Sequence, residues 1–342
     1  MIALAVVTVT FGLLFGGSMA VRAIGKHRLY NNPVSTRPAL QYTLGEEFLT
    51  EEENEKWQEG WVKYQGTIYQ YNEELLTFLV MGIDKQDDVE EVAEGTDGGQ
   101  ADALFLVTLN PKNKSIKVVG INRNTMTDVD IYDNNGEYSS TVKAQLAIQH
   151  GFGNGMEESC EYQKKAVENL FYQLPIHGYA AVNMSAVSTI NDAVGGVDVT
   201  VSGDMDGFNE DFVAGNSLHL EGENAFWYVK YRDTDIFGSA DMRLDRQKQY
   251  LNGFIGAAKR AVHEDTSVVI DLYQAVKPQM VTDVSLDEAA YLAPILAEYT
   301  YNEDDFYTLQ GQTVMGEQYE EFYPDEDAVF EMILDVFYEK VQ

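Results

Sequence analysis

The chain has 342 residues, 45% of them hydrophobic, with 23 Lys and Arg against 56 Asp and Glu and a formal net charge of −33. That length accommodates one large domain or two ordinary ones, and the charge argues against a nucleic-acid binder, because gripping a phosphate backbone needs a basic surface. The single Cys160 cannot form an intramolecular disulfide, and the five histidines show no zinc-ligand spacing.

Met1 to Ala20 is an unbroken uncharged, mostly apolar run, and about 20 such residues suffice to span a bilayer. It lacks a basic head and a clear A-x-A site, which favours a signal anchor over a cleaved signal peptide. Arg22, Lys26 and Arg28 follow it; under the positive-inside rule they oppose an orientation with the remaining chain outside. Residues 29–46 contain Asn31, Asn32, Pro33 and Pro38 and read as a linker. Thr50 followed by Glu53 is a capping box, so a helix is expected to start there, along an acidic, aromatic stretch reaching Tyr71 that forms a stalk or cap.

From Leu75 the pattern turns to buried strands: Leu75–Ile83, then Ala103–Leu109 and Ser115–Ile121 joined as a hairpin by the turn at 110–114. Helices are expected over Val142–His150 and Glu158–Leu174, a strand over Ile176–Val182, and a helix over Met184–Val194 that stops at Gly195 and Gly196. A strand over Val197–Val201, an acidic loop, and a helix over Glu221–Tyr231 come next. Asp241–Val262 carries the clearest helical stripe, Leu244, Leu251, Ile255, Ala258 and Val262. Extended pieces are expected at Val268–Ala275 and Phe306–Leu309, helices at Leu286–Tyr299 and Glu326–Tyr338. Strands and helices mix throughout, so the class is α/β. The division is 1–25 as transmembrane anchor, 26–74 as linker and acidic helix, and 75–342 as the main domain.

The chemistry gathers in Tyr228–Leu251, which holds Lys230, Arg232, Arg243, Arg246 and Lys248, five of the 23 cations. A bound anion would account for cations gathered in so acidic a chain; surface pairing with the abundant carboxylates is the bland alternative. Asp84 ends the first buried strand and Asp102 precedes the second. If those strands are antiparallel neighbours, both carboxylates reach one end of the sheet, as Mg2+ bound jointly with phosphate would require; two turn or capping aspartates would look the same. Arg123, just past the third strand, can reach that end, and guanidinium forks suit phosphate oxygens. No G-x-S-x-G, P-loop or G-x-G-x-x-G is present, so any catalysis would rest on positioning and charge, as in phosphoryl transfer.

From about Thr77 to Tyr338 the chain resembles the LytR-CpsA-Psr (LCP) family of Gram-positive envelope proteins. The resemblance rests on FLVMGID (78–84), QADALFLVTLNPKNKSIKVVGINRNT (100–125), GGVDVTV (195–201), LEGENAFWYVKYRDTD (220–235) and DMRLDRQKQYL (241–251). It implies a central mixed β-sheet flanked by helices and a single-pass membrane protein with its domain outside the cell. The implied activity is Mg2+-dependent transfer of a glycopolymer, such as teichoic acid or capsule polysaccharide, from a polyprenyl-pyrophosphate carrier to peptidoglycan. By the same resemblance Asp84 and Asp102 are metal-associated, and Arg123, Lys230, Arg232, Arg243, Arg246 and Gln247 bind pyrophosphate. Arg123, Arg243 and Asp241 would be catalytic, with Asp241 as general base, and Lys143 would be a pocket lysine. The chain departs from the family pattern in four places, the first being that Asp241 stands two residues before Arg243 where the family's acid stands three before. Gln100 replaces an Arg, Asn122-Arg123-Asn124 stands for P-R-D, and Lys230 replaces the first Arg of R-x-R. A lipid-binding member without turnover therefore stays open, as does a transcriptional attenuator, although the net charge speaks against DNA contact.

Overall fold

The computed structural model describes residues 23–30, 38, 40, 49–92, 98–133, 135–206, 208 and 210–341. The apolar run expected to span a membrane, and most of the linker, lie outside these residues. Among the described residues no helix is long and apolar enough to cross a membrane.

In chain order the N-terminal half comprises α1 (23–30), α2 (Glu51–Lys56), β1 (Trp61–Tyr64), β2 (Thr67–Tyr71), β3 (Leu76–Ile83), β4 (Ala101–Asn110), β5 (Ser115–Ile121), β6 (Met126–Tyr132), β7 (Tyr138–Gln145), α3 (Glu157–Leu170), β8 (Gly178–Asn183) and α4 (Ala186–Ala193). The remainder comprises β9 (Val197–Thr200), β10 (Ser217–Leu220), α5 (Glu223–Lys230), α6 (Ser239–Glu264), α7 (Val268–Val276), β11 (Met280–Thr282), α8 (Leu286–Ala297), β12 (Phe306–Thr308), β13 (Gly311–Met315), β14 (Glu320–Pro324), α9 (Glu326–Phe337) and β15 (Tyr338–Lys340).

Six strands form the central mixed sheet in the order β11-β8-β3-β4-β5-β12. The β3–β8 and β5–β12 pairs are parallel and the others antiparallel. Period-two alternation divides the strands between two cores. Leu79, Met81, Leu104, Leu106, Val119 and Ile121 pack on one side with α3 and α9. Phe78, Leu109, Ile116 and Val118 pack on the other, where Leu251 of α6 and Leu292, Ile295 and Leu296 of α8 meet them.

Three expectations are corrected. The Thr50–Glu53 capping box is present, but its helix stops after six residues; the aromatic stretch is the β1–β2 hairpin, which pairs with β15 at the opposite end of the chain. Residues 142–145, expected in a helix, belong to the β6–β7 hairpin, followed by a 3-10 turn over Leu146–Phe152. β7 is mostly exposed, so no apolar alternation marks it. Val268–Val276 is a helix despite its β-branched residues, held by packing on α4 and α8. The β13–β14 hairpin had no counterpart in the sequence reading.

Two sets of buried polar side chains brace the segments between these elements. Arg246, 1% exposed, donates Nε–H to Asp204 at 2.8 Å and its other nitrogens to the carbonyls of Tyr228 and Tyr231. The Gln247 amide donates to the carbonyl of Val229 at 3.1 Å. These bonds cap the last carbonyls of α5, where a cation also suits the helix dipole. His150, 1% exposed, lies 3.0 Å through Nδ1 from the carbonyl of Gly99 and 3.8 Å through Nε2 from Cys160 Sγ. Burial pushes its pKa down to about 4 because the charged form is poorly solvated there.

Arg246→Met should destabilise the fold by about 3–5 kcal/mol, since it strands the Asp204 carboxylate; adding Asp204→Ala should recover part of the loss, read from urea-denaturation midpoints. The buried, neutral His150 adds a pH dependence. The unfolded imidazole protonates near pH 6.5 and the folded one near 4, so its stabilisation is complete above 6.5 and is lost as pH falls toward 4. The full window is worth about 3 kcal/mol at most. His150→Gln should flatten the acid side of the stability–pH curve.

Candidate functional site

The antiparallel β3–β4 pair brings Asp84 and Asp102 to one end of the sheet, as the sequence reading required. Gly82 faces Ala103 and Ile83 faces Ala101, so Asp102 is the unpaired residue of a bulge. Bulges re-aim side chains and recur beside active sites. The backbone N–H of Asp84 donates to the carbonyl of Gln100 at 3.0 Å, closing the end of the ladder.

Asp102 is the centre of an ionic cluster. Arg243 Nη1 donates to its Oδ2 at 3.0 Å and Nη2 to its backbone carbonyl at 3.2 Å. Arg123 Nε lies 3.2 Å from the other carboxylate oxygen, without the alignment of a hydrogen bond, and its Nη2 donates to Gln100. Lys230 Nζ sits 3.0 Å from Asp84. Arg232 donates Nε–H to Ser239 Oγ at 2.9 Å and Nη2–H to Glu320 at 3.1 Å. Burial lowers the pKa of Arg123; Asp102 opposes the shift, while Arg243 and Arg232 add to it. Burial likewise lowers that of Arg232, with Arg243 again contributing. These guanidiniums are crowded and partly stripped of water, a condition that an added anion relieves.

The expected residues thus divide. Asp84, Asp102, Arg123, Lys230, Arg232 and Arg243 come together. Arg246 does not face the cluster with a free donor, since every guanidinium nitrogen is engaged by Asp204 or the end of α5; it holds the segment that carries Lys230 and Arg232. Gln247 does the same for Val229 and lines an apolar cavity. Asp241 receives hydrogen bonds on both oxygens, from Asn122 and from Thr313 at 2.7 Å, which makes it a bracket between β5, α6 and β13 and leaves it poorly placed as a general base. Lys143 is exposed and pairs with Asp128 at 3.1 Å on the β6–β7 hairpin.

The sequence reading missed Glu320, whose second carboxylate oxygen accepts from the N–H of Gly238 at 2.7 Å at the start of α6. The short runs on either side of Gly316 were the available signal for its hairpin. It also missed Asp204, hidden in an acidic loop.

Two cavities lie beside the cluster, one lined by its neighbours in the chain and one by its own arginines. The apolar one, about 180 Å3, lies between the sheet and helices α4, α5 and α6, with Gly82, Ala103, Phe105, Ile190, Val229 and Phe254 among its walls. Gly82 and Ala103 face each other across the ladder and leave its floor nearly bare. A second apolar space of about 310 Å3 shares Leu251 and Phe254 with it and continues to α7 and α8. On the other side, a polar cleft of about 590 Å3 reaches Gln100, Arg123 and Arg232. Among the described residues no three His, Cys, Asp or Glu side chains form a protein-only metal cage. Two hard carboxylates fit instead a hydrated Mg2+ that takes its other ligands from phosphate.

The LytR_cpsA_psr family model matches residues 42–335. TagV of Bacillus subtilis strain 168, a polyisoprenyl-teichoic acid–peptidoglycan teichoic acid transferase, is 29% identical over 258 residues, 74% of this chain and 61% of TagV. TagU of Bacillus cereus strain AH820, of the same description, is 31% identical over 215 residues, 63% of this chain and 62% of TagU. The chain therefore covers less than two thirds of either relative's length. The crystal structure of B. subtilis TagV superposes with a TM-score of 0.59 at 25% identity, covering 77% of this chain and 96% of TagV. TagT bound to LI-WTA superposes at 0.57 with 21% identity, covering 77% and 89%, a likeness of fold. With the family match running through the sheet, the ionic cluster and the cavities around it, the chain belongs to the LytR-CpsA-Psr family.

Proposed function

We infer that the protein transfers a glycopolymer from a polyprenyl-pyrophosphate carrier to peptidoglycan or another cell-wall acceptor. The observation that carries this reading is the continuity of a cation cluster with an apolar trough. Gly82, Ala103 and Val229 of the trough stand within two residues of Asp84, Asp102 and Lys230 of the cluster. From Gln247 to Val262 the trough follows α6 for roughly 22 Å, at about 1.5 Å per residue. A long hydrocarbon tail with an anionic head matches that shape. The relatives' names point to the same carrier class.

In the proposed reaction an acceptor sugar hydroxyl attacks the phosphorus bonded to the glycan. A new P–O bond forms, the bond to the bridging pyrophosphate oxygen breaks, polyprenyl phosphate leaves with that electron pair, and the hydroxyl proton passes to water in the open cleft. Arg123, Arg232 and Lys230 neutralise the oxygens that gain charge, and Arg243 holds Asp102 in place. Asp84 and Asp102 would hold Mg2+, which supplies further neutralisation of the pyrophosphate. Gln100 accepts a hydrogen bond from Arg123 and so orients that guanidinium where the family has a further Arg. The apolar run at Met1–Ala20 would tether the domain to the membrane, with the domain on the outer side; Arg28 is paired with Asp287 of the domain at 3.1 Å.

Asp102→Ala and Arg123→Ala should each lower turnover of a polyprenyl-pyrophosphate glycan donor by about 10²–10³-fold. Full activity in both would overturn the site. Wild-type protein that retains carrier lipid yet shows no turnover would establish the lipid-binding alternative. Ile190→Trp, which fills the trough, should cut the polyprenyl phosphate that copurifies in detergent by about tenfold or more, since each buried methylene contributes about 0.8 kcal/mol; mass spectrometry reads the result.

A further inference from the structure

The ionic cluster has two openings, and the trough accounts for one. The other is the polar cleft, whose outer wall is the β13–β14 hairpin. That hairpin is firmly anchored. The Phe322 N–H donates to the Asn124 carbonyl at 2.9 Å, the Gln145 amide donates to the Glu320 carbonyl at 2.7 Å, and the Thr313 hydroxyl donates to Asp241. Glu320 itself binds Arg232. The loop of the hairpin places Gln318 and Tyr319 on the cleft, with Tyr319 69% exposed.

The cleft lining is unlike the trough. Gln100, Asn124, Gln145 and Gln318 give it amides, and Tyr319 gives it an aromatic face. Asn124 is 2% exposed. Its Oδ1 accepts from Gln145 at 3.2 Å, whereas its Nδ2 has no hydrogen-bond partner. Amides with an open aromatic ring match the hydroxyl and acetamido groups and the apolar C–H face of a pyranose.

In-line displacement fixes which sugar belongs there. Attacking and leaving oxygens stand on opposite sides of the phosphorus. The leaving polyprenyl phosphate points into the trough, so the acceptor must come from the far side of the cluster. No residue of the cleft lining also lines the apolar cavity; the cleft reaches the cluster through Arg123 and Arg232, and the cavity adjoins it through Gly82, Ala103 and Val229, neighbours of Asp84, Asp102 and Lys230 in the chain. We propose that the cleft walled by Gln318 and Tyr319 is the acceptor subsite and binds an N-acetylated pyranose of the receiving glycan. This rests on the transferase reading for its orientation, while the recognition itself is testable without turnover.

The test is calorimetric titration of the detergent-solubilised full chain with a β-1,4-linked N-acetylhexosamine tetrasaccharide, without donor. Wild type should bind it. Tyr319→Ala and Gln318→Ala should each weaken Kd at least about tenfold, and Tyr319→Phe, which keeps the ring, should restore affinity. Tyr319 is exposed on a hairpin loop, so its variants should fold. Equal affinity in wild type and Tyr319→Ala, or no binding by wild type, would overturn the subsite. Failure of the transferase reading is separate: it is glycan binding that survives with no donor turnover.

Discussion

Asp102 takes a guanidinium on each side of its carboxylate, and the rest of the site is arranged by that fact. Arg243 reaches it from α6 and Arg123 from the end of β5. The carboxylate can stand between them because a bulge frees it from the ladder. A buried ion pair is weak evidence for stability, because desolvation offsets much of the attraction. Its value here is geometric: it fixes three elements to one point and leaves Arg123 and Arg232 facing the cleft.

The second organising device is the way α6 grips α5. Arg246 and Gln247 occupy the carbonyls at the end of α5, so Lys230 and Arg232 leave a helix whose end cannot fray. The cations nearest Asp84 and Glu320 are thereby positioned by side chains whose donors are engaged by Asp204 and the end of α5. Such sites are precise because their supporting residues sit on regular elements.

Much of this was legible in the sequence where patterns are local. The buried strands of the central sheet, the long helix and the convergence of Asp84 with Asp102 follow from apolar runs, turn residues and antiparallel pairing. The functions of Arg246 and Asp241 did not follow. A cation one turn from Arg243 looks the same in sequence whether it faces a phosphate or a carbonyl, and only the position of Asp204 and α5 decides. Nor did the β13–β14 hairpin, a polar pair held by contacts with residues about 70 to 200 positions away, such as Thr313 with Asp241 and Glu320 with Gln145. Long-range pairing of this kind leaves no periodic trace. The last four residues of β7 read as helix for a different reason: the strand is solvated along most of its length, so no apolar alternation marks it.

The bare floor at Gly82 and Ala103 has a mechanical corollary. Most lipid cavities are shaped by side chains that change rotamer and let the volume breathe. Here the floor nearest the ionic cluster is the backbone of two strands hydrogen-bonded at the usual spacing of about 4.8 Å, carrying one methyl, with the Met184 thioether beside it. A Cβ built on Gly82 would already stand 3.1 Å from Ala103 Cβ and Met184 Sδ. The height of that floor is set by the backbone ladder. On the transferase reading it would lie as a fixed surface under the first units of a hydrocarbon chain, and swelling of the softer walls further along α6 would not move it.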